Sequence, residues 1–165
     1  MDNITKSLEQ ACDLLKTVMF ATMATVNDDG SPHSSPFFVI YDDKLDHIFW
    51  GSHPESIHSK NIKRTGEVFF SIYNSHKYST GIYIKAINGK SLVGEELENA
   101  LVLHNTFRAK YNKSPIDLSY YINGPQQMWS ADTVKFWINS RKEDENGRLV
   151  EDVRIEVRPQ QLIEC

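Results

Sequence analysis

The 165-residue sequence predicts a single mainly β (α+β) domain, a small antiparallel barrel of six to seven strands with peripheral helices. Three observations carry this reading. Short β-rich segments recur along the chain. Helical periodicity is confined to a few stretches. The strand candidates are joined by tight turn signals such as Asn27-Asp28-Asp29-Gly30 and Asp144-Glu145-Asn146-Gly147. No repeat, low-complexity tract or linker divides the chain, so residues 1–165 read as one unit.

Each element has its own signal. Ile4, Leu8, Ala11, Cys12, Leu15 and Val18 recur at helical spacing over 4–19, behind Asn3 or Thr5 as a cap. Strand candidates follow at 20–26, at 33–41 (HSSPFFVIY) and at 47–50, an antiparallel meander. Residues 51–66 interrupt it with a short helix. Pro54 sits in its first turn, Ser52 and Glu55 fit a capping box, and Thr65-Gly66 ends it. Strands return at 67–73 and 81–87. A second amphipathic helix spans 95–111 through Leu97, Ala100, Leu101, His104, Phe107 and Tyr111. Residues 114–132 read as irregular, with Pro115, Gly124 and Pro125, and two late strands are expected at 133–139 and 149–158.

Composition narrows the function. Lys+Arg is 18 against 22 Asp+Glu, a net charge of −4, so the chain has no basic excess to neutralise a nucleic-acid backbone. No apolar run nears the roughly 20 residues of a membrane helix, and the start MDNITKSLEQ lacks a signal-type apolar stretch. Cys12 lies in a helical pattern and reads as core packing. With Cys165 it makes no framework and no C-x-x-C pair, so a reducing, cytoplasmic setting is expected.

Motifs for protein-based catalysis fail. There is no G-x-S-x-G elbow, no phosphate-binding G-x-x-x-x-G-K-[ST] loop and no G-x-G-x-x-G. The six histidines make no H-E-x-x-H or H-x₃-H spacing, so no metal site is expected, and His104 reads as a satisfied, semi-buried helix residue. The best constellation is FWGSHPESIHSKNI at 49–62, where a strand runs out at Trp50 and turns at Gly51 into a helix carrying Ser52, Ser56, His58, Ser59 and Lys60. A helix start leaves free N–H groups and a positive dipole end. Small hydroxyls add donors, and His58 or Lys60 can add positive charge. That chemistry suits a phosphomonoester, although Ser, Pro and Glu are also ordinary residues at a helix start.

These residues, followed by EVFFSIY and GIYI, resemble the pyridoxamine 5′-phosphate oxidase-like family of FMN-binding split barrels. The likeness covers residues 8–111 and is most specific over 39–66; the C-terminal part around Trp129, Trp137 and 152–157 matches loosely. The resemblance implies a split β-barrel working as a homodimer, with FMN in a groove between subunits. It places the strand at 35–41 beside the flavin ring, and Gly51, Ser52 and the following helix at the phosphate and ribityl chain. Ser56 falls on the serine of the family's Ser-Arg-Lys motif, Ile57 on its arginine and His58 on its lysine. Lys60 and Lys63 are candidates to compensate. Gly81 stands near a glutamine that reaches the flavin in the oxidase. Arg154 and Arg158 do not reproduce the oxidase's pyridoxal phosphate grip, so vitamin B6 oxidation is not expected.

The cofactor-binding expectation is therefore Ser35, Phe37, Trp50, Gly51, Ser52, Ser56, His58, Ser59, Lys60 and Trp137. The aromatics supply a flat slot, and no protein acid, base or nucleophile is named, because a flavin carries its own redox chemistry. For Trp50, Trp129 and Trp137 core or interface packing is the competing role. The expected function is FMN-dependent oxidoreduction of a small molecule. The alternative is a non-catalytic protein that binds or senses flavin, deazaflavin or haem in the same barrel. A third reading is a barrel with an empty site that serves as an interaction subunit.

Overall fold

A computed structural model describes residues 3–76 and 80–164. The elements run α1 (Asn3–Thr17), β1 (Phe20–Val26), β2 (Pro32–Tyr41), β3 (His47–Ser52), α2 (Ile57–Thr65), β4 (Val68–Tyr73), β5 (Gly81–Ser91), α3 (Gly94–Lys110), α4 (Ser119–Ile122), β6 (Gln127–Glu143), β7 (Leu149–Val157) and α5 (Pro159–Ile163). The sheet order is β3-β2-β1-β4-β5-β6-β7, all antiparallel, and β3 also pairs with β6. That extra pairing closes β1 to β6 into a six-stranded split barrel and leaves β7 outside it on the β6 edge.

Alternation builds the core. On β1, Ala21, Met23 and Thr25 point inward, while Phe20 and Val26 stay exposed. Trp50, Phe70, Ile72, Ile82, Ile84, Trp129, Phe136 and Ile138 complete the interior. Trp50 and Trp129 are paired across β3 and β6, with stacked rings 6.4 Å apart. Leu14 and Leu15 of α1 cap the barrel. A second small cluster of Leu92, Leu97, Leu101, Tyr121 and Met128 fastens α3 and α4 to the start of β6.

The structure changes several expectations. The capping box at Ser52 and Glu55 does not form. β3 continues through Ser52, which pairs with Gln127, and α2 starts only after Ser56, so Pro54 lies in the preceding turn. Residues 114–132 are not wholly irregular, since they hold α4 and the first third of β6. β6 is a 17-residue strand rather than a short one at 133–139, because it pairs with β3, β5 and β7 in succession. Cys12 is buried on α1 as expected. However, it is disulfide-bonded, which corrects the reading of the cysteines as making no framework; Cys165 lies outside the described residues. Among the described residues no helix is long and apolar enough to cross a membrane.

Candidate functional site

The site is built where β3 ends and α2 begins. β3 delivers Ser52 inward, and Trp129 Nε1 donates to the Ser52 carbonyl at 3.3 Å, which fixes the strand end. The turn 53–56 then swings the chain into α2. The Ser56 hydroxyl donates to the His53 carbonyl at 2.8 Å. No side chain caps the helix start, so its first N–H groups are left to other partners.

Four side chains converge there. His58 Nε2 shares hydrogen bonds with the Ser52 hydroxyl at 2.5 Å and the Ser56 hydroxyl at 2.7 Å. The Ser56 and Ser59 hydroxyls lie 2.9 Å apart, and Ser59 donates to Ser52 at 3.3 Å. Ser52 and Ser59 are buried, while Ser56 and His58 are half-buried. β2 supplies one wall. The Phe37 ring meets His58 edge-on at 4.6 Å, and His33 stacks on His58 at 6.1 Å. Ser35 joins through a 3.2 Å hydrogen bond with His33 Nε2.

Burial, reinforced by His33, lowers the His58 pKa to about 4, so the imidazole is neutral near neutral pH. Its Nε2 can then donate or accept, according to tautomer. The hydroxyls of the knot are bonded to one another and to His58, so an anion held here without a fixed cation would draw on the uncapped N–H groups of the helix start and on hydroxyls turned toward it.

Other contacts brace the site. Asn61 of α2 donates to Thr25 at 3.0 Å and Asn27 at 2.9 Å, tying the helix to β1. Gly66 ends α2 in the left-handed region (φ 70°), its N–H donating to Ile62 O at 2.7 Å. A side chain at Gly51 would meet Gln126 Oε1 and the Tyr121 hydroxyl, each at 3.3 Å, so the segment around α4 lies over the strand end.

Of the ten expected residues, Ser52, Ser56, His58 and Ser59 form one cluster, with Phe37 against it and Ser35 linked to it only through His33. Gly51 precedes it in the strand. Lys60 points elsewhere and pairs with Glu55 at 3.4 Å on an exposed surface. Trp50 is 0% exposed in the core, so its indole offers no surface to a ligand. Trp137 lies on the outer barrel face against Phe69 at 6.1 Å, eight residues along β6 from Trp129, roughly 26 Å of strand away. His33, Tyr121 and Gln126 were missed. His33 was legible only through β-alternation, since it shares a face with Ser35 and Phe37; the other two reach the site by tertiary folding alone. Among the described residues no group of His, Cys, Asp or Glu is placed to hold a metal.

No family model and no curated protein matches the chain. Solved structures do. A haem-binding protein from Mycobacterium smegmatis aligns with TM-score 0.66 and 14% identity over 96% of this chain and 60% of that one. A protein related to general stress protein 26, of the pyridoxinephosphate oxidase family, from Clostridium acetobutylicum aligns with TM-score 0.64 and 11% identity over 95% and 97%. An F420 reductase aligns with TM-score 0.54 and 15% identity over 75% and 93%. At these identities the likeness is one of fold, and the chain is a split barrel of the kind seen in pyridoxinephosphate oxidase-family structures.

Proposed function

We propose that the protein is an FMN-dependent oxidoreductase acting on a small molecule, as a homodimer with the cofactor between subunits. The observation behind this reading is the knot of Ser52, Ser56, His58 and Ser59 at the uncapped start of α2. A flavin phosphate needs several donors and partial positive charge at one point, and these residues fit that need. Phe37 and Ser35 extend the site along β2. FMN, when bound, supplies the hydride or electron transfer. The chain binds it, orients it and keeps the phosphate end out of water.

The barrel's outer face supports the dimer. Pro36, Thr22, Ser71, Tyr83 and Trp137 form an uncharged row across five strands. Phe20 and Tyr73, both more than half exposed, lie on the same face. With Arg154 over the Tyr83 ring and Lys135 over Trp137, this uncharged centre has a charged rim, a composition that suits contact with a second copy. Trp137 is proposed to face a cofactor held between two copies.

A second reading keeps the ligand without the catalysis: a protein that binds or senses flavin, deazaflavin or haem. What favours it is the fold shared with a haem-binding protein. Purification separates the two. A yellow protein that releases FMN on denaturation, and whose flavin is reduced by a nicotinamide and reoxidised by an acceptor, supports the oxidoreductase. A yellow protein inert to nicotinamides supports the binding protein. A colourless protein whose Tm does not rise with added FMN removes both flavin readings.

A further inference from the structure

A gap of about 680 Å³ separates α1 from α3, and none of its lining residues belongs to the serine–histidine knot. Leu15, Leu45, Leu103, Phe107 and Leu162 line it, with Tyr41 among them at the end of β2. The gap opens to solvent past Val102 and Ile163, and its volume is that of a small-molecule cleft.

Two features define what would fill it. The Tyr41 hydroxyl is enclosed and has no hydrogen-bond partner among the described residues. A buried hydroxyl without a partner is costly, so an acceptor brought to it would be bound with gain. Burial, with Tyr111 nearby, pushes the phenol well above its ordinary range, so it stays protonated and able to donate. The charges around the gap are balanced: Lys16 and Lys110 against Asp42 and Asp43. They give no net preference for an ion of either sign.

We infer that the gap between α1 and α3 is a binding site for a neutral, largely apolar small molecule whose hydrogen-bond acceptor is met by Tyr41. The site is separate from the proposed flavin site and does not depend on it.

The neutral naphthyl ketone prodan has this chemistry, and its fluorescence reports its surroundings. Titrated into the full chain, it should shift to the blue and saturate at one molecule per chain, and added FMN should leave it bound. Leu103→Trp, which fills the gap, should abolish the signal. Thr106→Trp, at an exposed position on the lip, gives the same test should Leu103→Trp fail to fold. Tyr41→Phe should weaken binding by about 5-fold without changing the stoichiometry. No saturable shift, displacement by FMN, or full binding by a folded gap-filling variant overturns the site. Unchanged affinity in Tyr41→Phe overturns the acceptor. A gap-filling variant that changes the protein's association state, in a protein that does not bind prodan, assigns the gap to a second copy and overturns the inference.

Discussion

His58 is the residue on which the candidate site turns. It bonds Ser52 and Ser56 through one nitrogen and is held between His33 and Phe37. If it helps hold a phosphate, His58→Ala should weaken FMN binding about 10-fold, the worth of a hydrogen bond to a charged group. Riboflavin, which lacks the phosphate, should bind the two proteins equally. Equal loss for both ligands would show that the substitution damages the pocket in general. The same residue was legible in the sequence as part of a hydroxyl-rich helix start. Its protonation state was not, because it follows from burial and from His33, a strand away. His104 shows a related effect on α3: burial, then Arg108, lowers its pKa to about 4, and its Nδ1 meets the Tyr121 hydroxyl at 3.2 Å. Both histidines therefore take up a proton in the unfolded chain near pH 6.5 but resist it when folded. Stability should be unaffected by them above about pH 6.5 and fall as pH drops toward 4. His104→Leu should flatten that acid limb, read as urea midpoints across the interval. An identical slope in the variant would show that His104 carries none of it.

At the scale of elements, α2 is held at both ends by geometry that local patterns only half revealed. The helix and its glycine stop were readable. Its start was not, because Ser52 obeys a strand pairing with Gln127 rather than the capping rule its own spacing satisfies. At the far end, Gly89 of β5 donates its N–H to Gly66 O at 2.9 Å, and a Cβ there would stand 2.4 Å from Ile62 Cγ2. Ile62 is fully buried and has no room to yield. Gly89→Ala should cost about 1–3 kcal/mol, the usual range for overpacking, and combined with Ile62→Ala, which removes Cγ2, it should cost less than the two single losses added together. Thermal unfolding of the four proteins measures this. Losses that add in full would place the clash elsewhere.

For the whole molecule, the class of fold was legible and its closure was not. Alternation and turns marked the strands, yet nothing local shows that β3 returns to β6, since Trp50 and Trp129 stand 79 positions apart. Nor does any single strand show that the outward residues of five strands form one uncharged row. If that face joins two copies, Phe20→Asp should yield a folded monomer by light scattering, because the residue is 53% exposed and the core does not need it. The monomer should also lose FMN. A monomer that keeps FMN would put the cofactor within one subunit.

The length of β6 has a consequence for how this chain reaches its native state. One strand stitches together a partner from early in the sequence, one from the middle and one that comes after it. During synthesis the first four strands must wait, with their apolar sides unsealed, until residues near 127–138 have emerged. Such distant pairing slows folding. The protein should therefore be most prone to aggregate while still on the ribosome, and lower temperature or slower translation should raise its soluble yield.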